Sequence, residues 1–189
     1  GGIKLPKPNI LGEFQIDNIA TAIVTLRNLD FKIKEDHIKN GITKIKNIAK
    51  KVVEDATRNN VVVVLSAMGK TTDQLVSLAN RCTKNPDMRD YDLLVSSGEQ
   101  VSISLLSMSI KDLGRDSVAY TGWQAGIRTN NSHSSARIID INAKKIKKDL
   151  KENKIVIVAG FQGINNGSIT TLGRGCLLYT SDAADDRDS

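Results

Sequence analysis

The sequence predicts an α/β fold with a largely parallel sheet, and three observations lead to this prediction. Two continuous apolar runs, VVVVL at 61–65 and IVIVA at 155–159, are typical of strands buried on both faces. Helical apolar periodicity separates these runs. From residue 43 the predicted order is helix, strand, helix, helix, strand, strand, helix, strand, which is the alternation expected of an α/β sandwich.

The individual elements are predicted from apolar spacing and from residues that end helices. Gly41 is expected to separate a short helix at 34–42 from a helix at 43–57. The further helices are predicted directly after SAMGKTT, at about 91–113, and at 142–152. Two short strands are predicted in SVAYTG (117–122) and ARIIDI (136–141).

The composition narrows the classes of function. The 189 residues are 40% hydrophobic, which is enough for one domain with a core. The net charge of +6 comes mostly from Lys in helical stretches and favours solvated helix faces over nucleic-acid binding, because no Arg-rich or aromatic pattern accompanies it. Cys82 and Cys176 lack metal-like spacing, and only two cysteines in a chain of this size predict no disulfide framework and a reducing, cytoplasmic compartment. No apolar run of membrane-spanning length is evident, so no membrane partner is expected.

The first segment with chemical potential is VVVVLSAMGKTTDQL, residues 61–75. A predicted strand ends at Ser66 and is followed by small residues and by the hydroxyls of Thr71 and Thr72. A helix that starts after such a turn offers N–H groups and a positive dipole end to an anion. The alternative is a plain helix cap by Thr71 or Thr72, and spacing leaves both open. The segment is not a Walker loop, because Val64 stands where the first glycine of the GxxxxGK[ST] pattern is required, although Gly69-Lys70-Thr71 matches its ending.

The second segment is LLVSSGEQVSISLL, residues 93–106, in which Glu99 interrupts an apolar helix. Glu99 is either a surface carboxylate or, if its helix faces the Ser66 turn, an acceptor for a substrate ammonium group.

The third segment, GFQGINNGSITTLGRG at 160–175, contains five glycines, two threonines and one arginine. Backbone N–H groups, hydroxyls and a guanidinium suit phosphate, although a Gly-rich β-hairpin is the alternative.

Together, these segments resemble the aspartokinase family, within the amino-acid kinase fold. TGWQAGI (121–127) and ARIIDI also match, and the resemblance covers roughly Ile45 to Gly175. It implies a three-layer α/β/α arrangement and transfer of the ATP γ-phosphate to the side-chain carboxylate of L-aspartate, the first step toward lysine, threonine and methionine. Mg²⁺ usually accompanies such phosphoryl transfer. Family members oligomerise, which leaves the oligomeric state of this chain open.

The resemblance also implies roles for individual residues. Aspartate is expected to be held by Thr72 and Glu99, with Arg137 as a further substrate-side candidate. The nucleotide is expected to lie against Ser66, Thr170, Thr171, Gly173 and Arg174. The family opens with a strand and loop similar to KFGGTS, whose Lys contacts the phosphates. No such segment precedes Ile45, so no catalytic residue is assigned.

The two ends of the chain differ from this pattern. LPKPNILGEFQIDNIATAIVTLRNL (5–29) resembles the folylpolyglutamate/dihydrofolate synthase family, so residues 1–44 are expected to be a helical ligase fragment. Residues 176–189 resemble read-through of a sequencing adapter and are expected to be disordered. The sequence therefore predicts a chimera with an incomplete kinase domain at 45–175 that lacks kinase activity. Ligase activity and a basic binding module are the alternatives.

Overall fold

The computed structural model describes residues 35–173, and the chain divides into two units between Thr43 and Lys44. The helices are α1 (Glu35–Asp55), α2 (Thr71–Cys82), α3 (Met88–Val95), α4 (Ser97–Asp112) and α5 (Lys144–Lys151). The strands are β1 (Val62–Leu65), β2 (Ser117–Tyr120), β3 (Ile127–Thr129), β4 (Ile138–Ile141), β5 (Ile155–Ala159), β6 (Gln162–Asn165) and β7 (Ser168–Thr171). The predicted tail at 176–189 and most of the predicted ligase fragment lie outside the described residues, and the predicted domain boundaries stay predictions.

Helix α1 is continuous where the sequence predicts two helices. Gly41 lies inside the helix and does not end it. A single interior Gly costs only about 1 kcal/mol relative to Ala, which is too little to interrupt a helix that is anchored elsewhere. The anchor is the apolar stripe of Ile45, Ala49 and Val52, which are all buried in the core.

The predicted parallel sheet is confirmed. Its strand order is β1-β5-β2, and both pairings are parallel. All five residues of the central strand β5 are buried, as the apolar run predicts. Helices α1 and α4 cover one face of the sheet, where Ile103, Leu106 and Ile157 share a core cluster. Helix α5 covers the other face through Ile146 and Leu150, so the second unit has three layers.

Strand β1 is not buried on both faces, and that prediction is wrong. Val62 is 43% exposed and Val64 is 55% exposed. The reason is that, within residues 35–173, β1 is the edge strand of the sheet, and the apolar side chains of α5 share a cluster with residues of β5 and β2. A run of valines predicts a strand, but whether each face of that strand is buried depends on whether a helix packs against it.

Two valines on adjacent strands allow this difference in burial between β1 and β5 to be tested. Val64 and Val158 are register partners on adjacent strands, and Val158 is only 4% exposed. Val158→Ala is expected to lower the free energy of unfolding by about 2 kcal/mol, because buried methyl groups are lost. Val64→Ala is expected to change it by less than about 0.5 kcal/mol. Urea denaturation followed by circular dichroism measures both, and equal losses would contradict the uncovered face of β1.

A second sheet, with strand order β4-β3-β6-β7, packs beside the parallel one. The β3–β4 and β6–β7 pairs are antiparallel, whereas β3 and β6 are parallel. Of these strands, only β4 is predicted as an element of its own, because β4 contains three isoleucines whereas each of the others contains a single apolar residue. The Gly-rich segment forms the β6–β7 hairpin, which is one of the two alternatives that its composition leaves open.

The helix predicted at about 91–113 is divided into α3 and α4 at Ser96. The Ser96 carbonyl accepts a hydrogen bond at 3.0 Å from Nε2 of Gln162. The Ser96 and Ser97 hydroxyls donate to the Leu93 and Leu94 carbonyls, which bends helices. The stretch Met88–Asp112 is long and apolar enough to cross a membrane, but half of its most apolar window is buried inside the protein. It therefore has the features of a core helix pair.

A hydrogen-bonded cluster of Tyr120, Asp149 and Lys154 joins α5 to β2. Tyr120 Oη donates to Asp149 Oδ2 at 2.5 Å, and Lys154 Nζ lies 3.1 Å from Asp149 Oδ1. Burial, together with the adjacent carboxylate, raises the pKa of Tyr120 to about 12. Burial also opposes ionisation of Asp149, but the hydrogen bonds from Tyr120 and Lys154 outweigh it and lower the pKa of that carboxyl.

Candidate active site

The carboxyl ends of the three parallel strands lie at one edge of the sheet. The turn after β1 begins at Ser66, and the amide of Gly160, directly after β5, donates to the Leu65 carbonyl at 3.0 Å. The turn after β2 contains Gly122, which touches the backbone of Gln162 at the start of β6. Ligands of parallel α/β proteins bind at this edge, so the turns there form the candidate site.

The first turn of α4 packs directly against the turn after β1. A Cβ atom on Gly98 would lie 3.0 Å from the Cβ of Ala67, so glycine permits the close approach. Next to it, Glu99 Oε1 accepts a hydrogen bond from the Ala67 N–H at 3.2 Å. The helix of Glu99 therefore faces the Ser66 turn, which is the condition for a role of Glu99 in substrate binding.

The Glu99 side chain is buried, and one of its two carboxylate oxygens has no hydrogen-bond partner among the described residues. The residue is only 2% exposed, so the alternative of a surface carboxylate is wrong. Its Oε2 has no hydrogen-bond partner within the part of the chain that the structure describes. Burial raises the pKa of Glu99, although hydrogen bonds from the backbone of Glu99 and Ala67 act in the opposite direction. A cationic donor at Oε2 would satisfy this oxygen and offset the cost of burying the charge.

Helix α2 begins beside Glu99 without a side-chain cap. Its N-cap residue is Lys70, and the Thr71 hydroxyl donates to the Met68 carbonyl at 2.7 Å. The alternative that Thr71 or Thr72 simply caps the helix is therefore wrong. Thr72 is half-buried and Ser66 is exposed. The N-terminus of α2 lies at the candidate site, where its N–H groups can bind an anion, although Asp73 in the first turn offsets part of the positive end of the helix dipole.

The β6–β7 hairpin carries the predicted nucleotide-binding residues. Its turn, Asn166-Gly167, has φ angles of 45° and 80°, as two-residue hairpin turns require. The Thr170 hydroxyl lies 2.5 Å from the Thr129 hydroxyl, and the Thr171 hydroxyl donates to Asp92. Both threonine side chains are therefore used inside the fold. Gly173 follows, half-buried, and Arg174 lies outside the described residues.

A family match covers most of the chain. The sequence pattern of the amino acid kinase family matches residues 16–184. The chain belongs to the amino acid kinase family. The match confirms the fold that the segments around Ser66, Glu99 and Thr171 predict, and it begins well before residue 45.

Aspartokinases are among the curated relatives of this chain. The chain is 56% identical to the aspartokinase of Bacillus sp. (strain MGA3) and 57% identical to aspartokinase 2 of Bacillus subtilis (strain 168), each over 115 residues. Both alignments cover 60% of this chain and 28% of the relative. The chain thus matches little more than a quarter of the length of these relatives.

Solved structures agree with the fold. The aspartate kinase of Synechocystis is 42% identical, with a TM-score of 0.59 over 71% of this chain and 22% of that one. Aspartokinase III of E. coli, solved with lysine and aspartate, has a TM-score of 0.58 at 23% identity, over 69% of this chain and 40% of that one. The second likeness concerns the fold alone.

The candidate site brings some predicted residues together and leaves others apart. Glu99 meets the Ser66 turn and the start of α2. Arg137 is exposed, and its described hydrogen bonds join its backbone to Asn130. Sequence reasoning missed Asp92, a fully buried acceptor for Thr171. A signal was available, because Asp92 precedes Val95 and Glu99 by three and seven residues, as positions on one helix face do.

Residues 35–173 contain no group of three or more His, Cys, Asp or Glu side chains able to hold a metal ion such as the Mg²⁺ expected with ATP. Mg²⁺ commonly binds to substrate phosphates with one or two carboxylates. The described side chains therefore do not fit a dedicated magnesium cage.

Proposed function

We propose that the chain supplies the aspartate-binding part of an aspartate kinase, which transfers the ATP γ-phosphate to the side-chain carboxylate of L-aspartate. The observation that carries the proposal is the buried Oε2 of Glu99 at the carboxyl edge of the sheet, which has no hydrogen-bond partner among residues 35–173. High identity to aspartokinases supports the reaction class. The same relatives disfavour the ligase and binding-module alternatives, and they support a cytoplasmic enzyme that acts on small molecules.

In this proposal Glu99 accepts hydrogen bonds from the substrate ammonium group at Oε2, while the Ala67 amide holds Oε1. A carboxylate of the substrate lies toward the N-terminus of α2, near Thr72, with Arg137 as a further partner. The nucleotide, as its magnesium complex, lies near Ser66, Gly173 and Arg174. Thr170 and Thr171 support that loop from within, because their hydroxyls bind Thr129 and Asp92. Phosphoryl transfer depends mostly on such positioning and on charge neutralisation.

Calorimetric titration of the 189-residue chain with L-aspartate and with succinate tests the proposal. Succinate keeps both carboxylates of aspartate and lacks the ammonium group. We expect L-aspartate to bind at least about 30-fold more tightly, because only the ammonium satisfies the buried Glu99 oxygen. Equal affinity for the two compounds would overturn the assignment of Glu99, and binding of neither would overturn the proposed aspartate site.

A further inference from the structure

We propose that Asp92 is a positioning residue of the aspartate site, which holds α3, the β3–β4 loop and β7 in one arrangement. This inference rests on the proposed function, because it concerns the segments that would surround the substrate. Asp92 lies in α3 and is 0% exposed. A buried carboxylate is costly unless hydrogen bonds satisfy it, so its partners indicate what it does.

The carboxylate of Asp92 accepts hydrogen bonds from two segments that are distant in sequence. Its Oδ2 lies 2.8 Å from His133 Nδ1, 3.0 Å from the Ser134 N–H and 3.1 Å from the Thr171 N–H. Its Oδ1 accepts from the Thr171 hydroxyl at 2.5 Å and shares the Ser134 N–H at 3.0 Å. A side chain without two acceptor oxygens cannot serve all of these donors equally well.

The β3–β4 loop depends on these bonds for its shape. Ser134 has a φ of 61°, a left-handed conformation that costs a non-glycine residue energy unless its surroundings impose it. Asn130 closes the loop through two 3.0 Å bonds to the backbone of Arg137. Ala136 N–H donates to the Thr171 carbonyl at 2.9 Å. The loop that carries Arg137 is therefore joined to β7 directly and, through Asp92, to α3.

The same framework extends to Glu99. Helices α3 and α4 meet at Ser96, whose carbonyl is bound by Gln162 of β6 at 3.0 Å. Asp92 and Glu99 thus lie on either side of a junction that is fixed to the hairpin strands. Loss of the Asp92 carboxylate is expected to release the Arg137 loop and β7 from the helix pair, and so to widen the space around the substrate.

Three variants test the proposal through L-aspartate affinity. Asp92→Ala removes every acceptor and is expected to weaken binding at least about tenfold. Asp92→Asn keeps an oxygen for the His133 and backbone donors, while its NH₂ group can donate to the Thr171 hydroxyl. It is expected to restore affinity to within about threefold of the wild type, the rescue that a conservative replacement gives a positioning residue. Asp90→Ala, an exposed carboxylate two residues earlier in α3, is the matched control and is expected to bind normally.

A purely structural role would give a different result. Asp92→Ala would then lower the melting temperature, while its folded fraction would bind L-aspartate like the wild type, and this outcome would overturn the proposal.

If Asp92→Ala does not fold, amide hydrogen exchange of Asp92→Asn decides. The Ser134 and Thr171 amides are expected to exchange several-fold faster, with Ile157 unchanged, because only the former lose a charged acceptor. Wild-type rates at both amides would contradict the proposal, as would equal acceleration at Ile157. A wild-type chain that does not bind aspartate would overturn the proposed function and, with it, the positioning role, whereas normal binding by folded Asp92→Ala would overturn the positioning role alone.

Discussion

Glu99→Gln is expected to weaken L-aspartate binding by roughly 30-fold or more, and at the same time to stabilise the unliganded chain at neutral pH. The affinity falls because the substrate ammonium loses its charged partner. The stability rises because the wild-type chain holds an ionisable carboxyl at a site that is only 2% exposed, with one oxygen unpaired. Function and stability therefore change in opposite directions, as at sites that are built for a ligand.

The stability effect depends on pH in a defined direction. Burial raises the pKa of Glu99 in the folded chain, so its neutral form is favoured there. The contribution of Glu99 to stability is therefore complete below the unfolded pKa, about 4.3, and is lost as the pH rises through the higher folded pKa. Thermal denaturation is expected to give similar stabilities for wild type and variant near pH 4, and a more stable variant near pH 7.

Glu54→Gln is the matched control for this prediction, because Glu54 is an exposed carboxylate on α1. It is expected to leave L-aspartate affinity unchanged and to change the free energy of unfolding by less than about 0.5 kcal/mol. If Glu99→Gln binds L-aspartate as tightly as the wild type does, Glu99 does not hold the ammonium group. A less stable Glu99→Gln chain at neutral pH would show instead that the carboxylate has a partner within the protein.

Gly122→Ala is expected to destabilise the second unit by about 3 kcal/mol or more, because the new methyl group has no space. A Cβ atom at Gly122 would lie 2.1 Å from the Gln162 carbonyl oxygen and 2.7 Å from its carbonyl carbon. Backbone atoms of β6 cannot rotate away as a flexible side chain can. The turn after β2 must therefore separate from the hairpin that carries Thr170 and Thr171.

Gly41→Ala provides the comparison, since a Cβ atom there would meet nothing within 4 Å. Gly41 lies inside α1, where alanine is favoured over glycine by about 1 kcal/mol, so this variant is expected to be slightly more stable. Urea denaturation of the two variants measures the difference. A Gly122→Ala chain with the stability of the wild type would mean that the β2 turn does not contact β6 in solution.

Local patterns in the sequence were sufficient for much of the fold. The run at 155–159 predicts the buried central strand, and the spacing of Ile45, Ala49 and Val52 predicts the buried face of α1. The break between α3 and α4 could not be predicted in this way, because part of its cause is a hydrogen bond from Gln162, which is 66 residues away in sequence. Periodicity reports which face of an element is apolar, and it contains no information about partners from distant segments.

The same distinction between local pattern and distant contacts applies to the candidate site. The sequence by itself determined the segments that meet at the site and singled out Glu99, because a carboxylate within an apolar helix is conspicuous. Only the tertiary structure decided that, among the described residues, one oxygen of Glu99 has a hydrogen-bond partner and the other has none, and that Asp92, 79 residues before Thr171, accepts a hydrogen bond from the Thr171 hydroxyl. It also decided that β1 keeps one face uncovered. The physical reason is that burial and hydrogen bonding of a polar group depend on the atoms around it in space, most of which belong to other elements.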